Sequence, residues 1–152
     1  MAISQALCTS FKVELLTGHH AFGSSVVRAG TTTDTFKVAL YTSSATLGAA
    51  TTDYANNTGN EVANGNGYTT GGTSIAIAQA PTSTSATAWL DFTDTQWTTA
   101  TFTARGGLIY NDTNSDKAVA VLDFGTDKTV DNGTFTIQWP VGDSSTAIIR
   151  IV

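Results

Sequence analysis

Charge is what this sequence has least of. Only 12% of its 152 residues are Asp, Glu, Lys or Arg, about half of the roughly 25% usual in a soluble domain. The four lysines and three arginines are scattered, and the formal net charge is −5. Duplex DNA or RNA is thereby excluded as the main partner, because affinity for nucleic acid begins with clustered cations neutralising phosphates. A single cysteine, Cys8, excludes an intramolecular disulfide and reads as a small buried apolar side chain. No window approaches the roughly 18 apolar residues of a membrane helix. Met1 to Gln5 lacks the basic and apolar regions of a secretory signal, so the product is expected to fold in the cytoplasm where it is made. The Asn-x-Thr triplets at Asn56, Asn111 and Asn132 then carry no glycosylation message.

Histidine is nearly as scarce, and His19-His20 would have to serve any Ser-His-Asp or Cys-His arrangement, with Ser24, Ser25 or Cys8. There is no G-x-S-x-G elbow, and a turn histidine bonded to backbone explains the pair better. As metal ligands the two lack a recognisable third donor. Asp112, Asn114 and Asp116 reproduce the D-x-N-x-D opening of a calcium loop, with Asp123 beyond. Lys117 stands where the sharp turn needs glycine, and Asp123 falls inside a predicted strand, so a solvated hairpin turn is the reading. The other carboxylates are dispersed, Asp91 and Asp94 being a close pair on a strand-like segment, and spacing alone cannot show the cleft that glycosidase chemistry needs. Neither metal nor cofactor is expected, and no enzyme activity.

Hydroxyls and amides supply the polarity instead: threonine, serine and asparagine are abundant alongside alanine and glycine. Hydroxyls lose water at far lower cost than ammonium or carboxylate groups, which suits a subunit that packs against neighbours. Threonine also fits a half-buried pleated surface.

Period-two patterning dominates from Phe36 onward. FKVALY, Ile75 and Ile77, Ala86 to Phe92, Thr101 to Ala104 and Gly107 to Tyr110 (bulged at Gly106-Gly107), Lys117 to Phe124, Phe135 to Trp139 and Ala147 to Val152 all read as strands. KAVAVLDF is apolar on both faces and belongs at the centre of a sheet; Pro140 ends the run before it. NDTNSD at 111–116 and Asp131-Asn132-Gly133 read as turns. With no helical crossover between runs, the strands must be mainly antiparallel. The expectation is one all-β domain over residues 1–152, a β-sandwich or jelly-roll-like barrel. Leu7, Phe11 and Leu15, between Ser4 as N-cap and Gly18 as stop, predict a short N-terminal helix, although Phe11, Val13 and Leu15 also alternate as a strand would. Residues 1–35 are thus a helix or arm, and 36–152 a complete β core.

Thr42 to Thr73 is the long exception, rich in Ser, Thr, Asn and Gly with few apolar anchors, and reads as an extended loop that contacts partners. Thr46, Tyr54, Asn57 and Tyr68 within it are candidate contacts. Trp97 is a further candidate, able to stack on a protein or a sugar, and Trp89, opposite the apolar Ala88-Leu90-Phe92 face, is another. Phe135, Ile137 and Leu122 are expected in the central core, with Trp139 beside them.

The strings SFKVELLTGHHAF, TFKVALYTSSATLGA, GNGYTTGG, FTARGGLIYND and KAVAVLDFGTDKTVDNGTFTIQWP, ending in AIIRIV, resemble a family of small structural proteins from tailed bacteriophages over nearly the whole chain. That resemblance carries no catalytic or ligand residue. It implies a virion component made in the infected bacterium's cytoplasm. A capsid decoration or cement protein, sitting as a homo-oligomer such as a trimer on the major capsid protein, fits best, because binding at many sites turns modest contacts into tight retention. A tail, neck or fibre-associated protein is the second expectation, and a sugar-binding β-sandwich at a receptor-binding tip the third.

Overall fold

The computed structural model describes residues 2–16, 18–23 and 33–152. Among these residues eight strands and one α-helix follow in order: β1 (Ala6–Leu7), α1 (Thr9–Leu16), β2 (Phe36–Tyr41), β3 (Thr73–Ile75), β4 (Ile77–Thr84), β5 (Thr87–Phe92), β6 (Thr95–Asn111), β7 (Lys117–Ile137) and β8 (Ile149–Ile151). They form a five-stranded sheet, ordered β1-β7-β6-β2-β3, and a three-stranded sheet, ordered β4-β5-β8, with every strand pair antiparallel. The two sheets pack together as a β-sandwich. Leu90, Phe92 and Ile149 of the smaller sheet join one apolar core with Val38, Leu40, Leu108 and Val121 of the larger. The chain changes sheets at Ala76, so Ile75 pairs with Phe36 while Ile77 pairs with Phe92.

FKVALY is β2 as its alternation predicts, and KAVAVLDF supplies the inner part of β7, flanked by β1 and β6, with residues 118–122 buried. Thr101–Ala104 and Gly107–Tyr110 are one strand, and its register shifts between Ala104 and Gly106, the predicted bulge. Glycine is required there: a Cβ on Gly106 would lie 2.4 Å from the Leu122 carbonyl oxygen.

Four expectations need correction. Asp131-Asn132-Gly133 is not a turn, because β7 runs unbroken to Ile137 and absorbs Asn132 (φ 45°) and Gly125 (φ 76°) as left-handed residues inside a bulged strand. Turn chemistry and bulge chemistry ask for the same residues. The helix begins at Thr9, not after Ser4: Ser4 N–H donates to Leu47 O at 2.9 Å, Leu7 pairs with Ala120, and Cys8 N–H donates to Val119 O at 3.1 Å. Those sheet bonds outbid a first helical turn, whose leading N–H groups would have no partner. Its end is as predicted. Gly18 (φ 74°) donates to Leu15 O and His19 N–H to Glu14 O, the paired bonds by which a left-handed glycine closes a helix.

The β core is not complete from Phe36, since Cys8, Phe11 and Phe22 are buried members of it. The 42–73 segment is a long connection, as expected, and it is fastened to the larger sheet and the core. Val62 N–H donates to Leu40 O at 2.9 Å, Thr42 N–H to Asn60 O at 3.0 Å, Thr101 N–H to Asn66 O at 2.9 Å, and Ala45, Leu47, Val62 and Tyr68 are buried. Leu122, Ile137 and Trp139 are buried as expected, whereas Phe135 is half-buried and packs with Phe102, Phe124 and Trp97 on the outer half of the β6–β7 hairpin.

Candidate functional site

The predicted contact residues separate into three places. Thr46 is exposed and shares a shallow hollow with Asn57, whose Nδ2 donates to Asp53 O at 2.7 Å. Tyr54 and Tyr68 instead converge inward on Glu61. Tyr54 Oη donates to Glu61 Oε2 at 2.8 Å, Tyr68 Oη to Oε1 at 2.6 Å, and Gly71 N–H to the same Oε1 at 2.7 Å. Tyr68 Oη also accepts the Leu40 N–H at 2.9 Å, and Tyr110, stacked on Tyr54 at 4.6 Å, donates to Gly71 O at 2.7 Å. Tyr41 completes the cluster, its hydroxyl buried without a hydrogen-bond partner among the described residues. All four tyrosines of the chain are gathered here. Burial pushes each phenol above its ordinary range, and the charge of Glu61 adds to it. The arrangement fastens the 42–73 segment to β2 and β6.

Tyr68, 2% exposed, and Trp97, 5% exposed, are interior residues. A partner cannot reach them in this conformation, which corrects both as contact candidates. Glu61 was missed at the sequence level. Its signal was isolation, for it is the one charged residue between Asp53 and Asp91.

Trp89 stands apart on β5, half-buried, its Nε1–H directed at Thr84 Oγ1 at 3.4 Å. It borders an almost purely apolar depression of about 130 Å³ between α1 and the smaller sheet, floored by Phe11, Phe22, Leu90 and Ile149 and rimmed by Ile151 and Arg150. Beside it runs β8, which among the described residues pairs with β5 on one side only. Ile151 is 54% exposed and Val141 73%. An open strand edge next to exposed branched side chains is a surface on which another chain can pair.

The histidine pair lies where α1 meets the β6–β7 turn. His20 is fully enclosed, its ring edge-on to Phe11 at 4.9 Å and flanked by Phe22 and Phe36. Its Nε2 meets Glu14 Oε2 at 2.8 Å, and Glu14 Oε1 accepts from Lys117 Nζ at 3.0 Å. Burial alone would raise the Glu14 carboxyl, but its bonds to His20 and Lys117 outweigh that and hold it below the ordinary range. Asp112 pairs with Lys37 at 2.9 Å, and Asp116 is raised by burial and then by Asp112. Asp123 is held in β7 opposite Gly106. Among the described residues no group of three His, Cys, Asp or Glu side chains is placed to hold a metal ion. No helix among them is long and apolar enough to cross a membrane.

No family model, no curated protein and no solved structure matches the chain.

Proposed function

We propose that the chain is a non-enzymatic structural protein of a tailed-phage particle, a capsid decoration protein that self-associates and seats on the major capsid protein. The virion location is carried by the sequence resemblance alone. Self-association is supported by one observation, the open β8 edge with Trp89, Ile151 and the apolar depression beside it. A second copy docked there would cover apolar surface now in water and pair the free backbone groups of β8, at low cost because few charges need to be desolvated. Trp97 and Tyr68 face the interior, so a sugar-binding reading would rest on the half-buried Trp89 and Tyr54.

The test compares wild type with Ile151→Lys by sedimentation at tens of micromolar, then counts copies bound to particles lacking the native protein. Ile151 is exposed in the single chain, so the fold tolerates the change, whereas a lysine buried in an interface costs several kcal/mol. Loss of both assembly and incorporation in the variant supports the reading. A wild type that stays monomeric and fails to bind particles refutes it, and a dozen or fewer copies per particle would move the protein from capsid to tail.

A further inference from the structure

We propose that His20 and Asn111 form an acid-sensitive latch that ties residues 18–23 and 33–35 to the β6–β7 turn and releases them when His20 gains a second ring proton. The geometry fixes the protonation state. His20 Nε2 faces a carboxylate oxygen of Glu14, so it carries the hydrogen; Nδ1 faces the Asn111 amide nitrogen at 3.1 Å, so it must accept. Asn111, itself buried, cannot turn over to offer oxygen instead. Its Nδ2 also donates to Asp34 Oδ2 at 2.7 Å, and its Oδ1 accepts the Asn114 N–H at 3.1 Å. Reversal would set an oxygen against the Asp34 carboxylate and an N–H against an N–H.

Both segments depend on these groups. Asp34 Oδ2 accepts the Ala21 N–H at 2.9 Å, and Asn114 Nδ2 donates to His19 O at 2.7 Å. A proton on Nδ1 therefore drives two donors together at a buried point where 18–23, 33–35 and 111–114 meet.

Among the described residues the charged groups facing His20 include Glu14 from α1, with Lys117 of β7 behind it, Asp34 from the approach to β2, and His19 beside it in the chain. Glu14 and Asp34 would favour a cationic ring, but burial among three phenylalanines outweighs them and holds His20 below its ordinary value. The sign follows. An exposed histidine takes its proton near pH 6.5, before the latched one does, so the latch is at full strength above that pH and weakens as pH falls toward the latched value.

Hydrogen exchange tests this directly. Corrected for intrinsic rates, the opening constant of residues 19–23 and 111–114 should rise as pH falls below about 6.5, by at most about tenfold per pH unit, while that of residues 118–122 of β7 stays unchanged. His20→Phe keeps an aromatic ring in place and should flatten that dependence. His19→Gln should preserve it. Nuclear magnetic resonance of the two imidazoles supplies a readout that needs no variant. Wild-type exchange that ignores pH between 7 and 5, a His20 ring that titrates at its ordinary value, or a dependence abolished by His19→Gln would each overturn the latch.

Discussion

Removing the Glu61 carboxylate should unfasten the 42–73 segment. Its oxygens accept from Tyr54, Tyr68 and Gly71, and Glu61→Ala leaves the Tyr68 hydroxyl proton and the Gly71 N–H without an acceptor. Each such group costs about 1–3 kcal/mol when water cannot replace the partner. Tyr54 is half-buried and recovers water, so the expected loss from the other two is about 2–6 kcal/mol, a large share of the roughly 5–15 kcal/mol that holds a domain together. Glu61→Gln keeps one acceptor oxygen for Tyr68 and Gly71 and should lose about 1 kcal/mol. The cluster contains its own control. Tyr68→Phe strands the buried Leu40 N–H and should cost about 1–3 kcal/mol, whereas Tyr41→Phe deletes a hydroxyl that bonds to no described residue and should change stability by less than about 0.5 kcal/mol. Urea melts at pH 7 measure all four, with the slope checked for constancy so that midpoints report stability. If Glu61→Ala and Tyr41→Phe melt together, the carboxylate does not hold the segment and the reasoning fails.

All four phenols are raised, so their contribution is whole below about pH 10 and is lost as pH rises above it; absorbance at 295 nm should show them ionising together with unfolding, and a simple titration near 10 would contradict the burial. Cys8 is enclosed, and burial followed by the charge of Glu14 pushes its thiol up to about 11; a thiol reagent at pH 8 should label it only after denaturant is added. Gly72→Ala should destabilise severely, because its φ is +73° and a Cβ would lie 1.9 Å from the Val38 carbonyl oxygen; a wild-type melting temperature in that variant would reject the close approach of the 71–72 turn to β2.

The parts of this fold that sequence makes legible are those set by neighbours along the chain. Alternation in FKVALY and the unbroken apolar run of KAVAVLDF name a covered strand and a central one, and Gly18 marks a helix end by its left-handed geometry. The errors all involve distant partners. Leu7 fits the helical spacing of Phe11 and Leu15, yet it is claimed by Ala120, more than a hundred residues away. Asn132-Gly133 has the chemistry of a hairpin turn, and only the pairing of Ala100 with Gly133 and Phe102 with Val130 makes it a bulge. Tyr54 and Tyr68 look like exposed anchors in a polar loop because the carboxylate that gathers them and the β2 and β6 surfaces that cover them are invisible in the local pattern.

The abundance of hydroxyls and amides also has a cause within the chain, which composition alone does not separate from association. Some of the hydroxyls and amides do not await a partner. They shape loops from within: Thr51 Oγ1 accepts the Gly48 N–H, Asn64 Oδ1 the Thr70 N–H, and Asn114 Nδ2 reaches across to His19 O. Short polar side chains that bond the nearby backbone let long connections lie ordered over a sheet without a large apolar anchor. An argument for association has to be made from what such bonding leaves over. On this molecule the remainder includes the β8 edge, where Ile151 is exposed beside the apolar depression bordered by Trp89. On the proposal that self-association uses this edge, charge introduced at Thr46 or Asn57 should leave it intact while charge at Ile151 abolishes it.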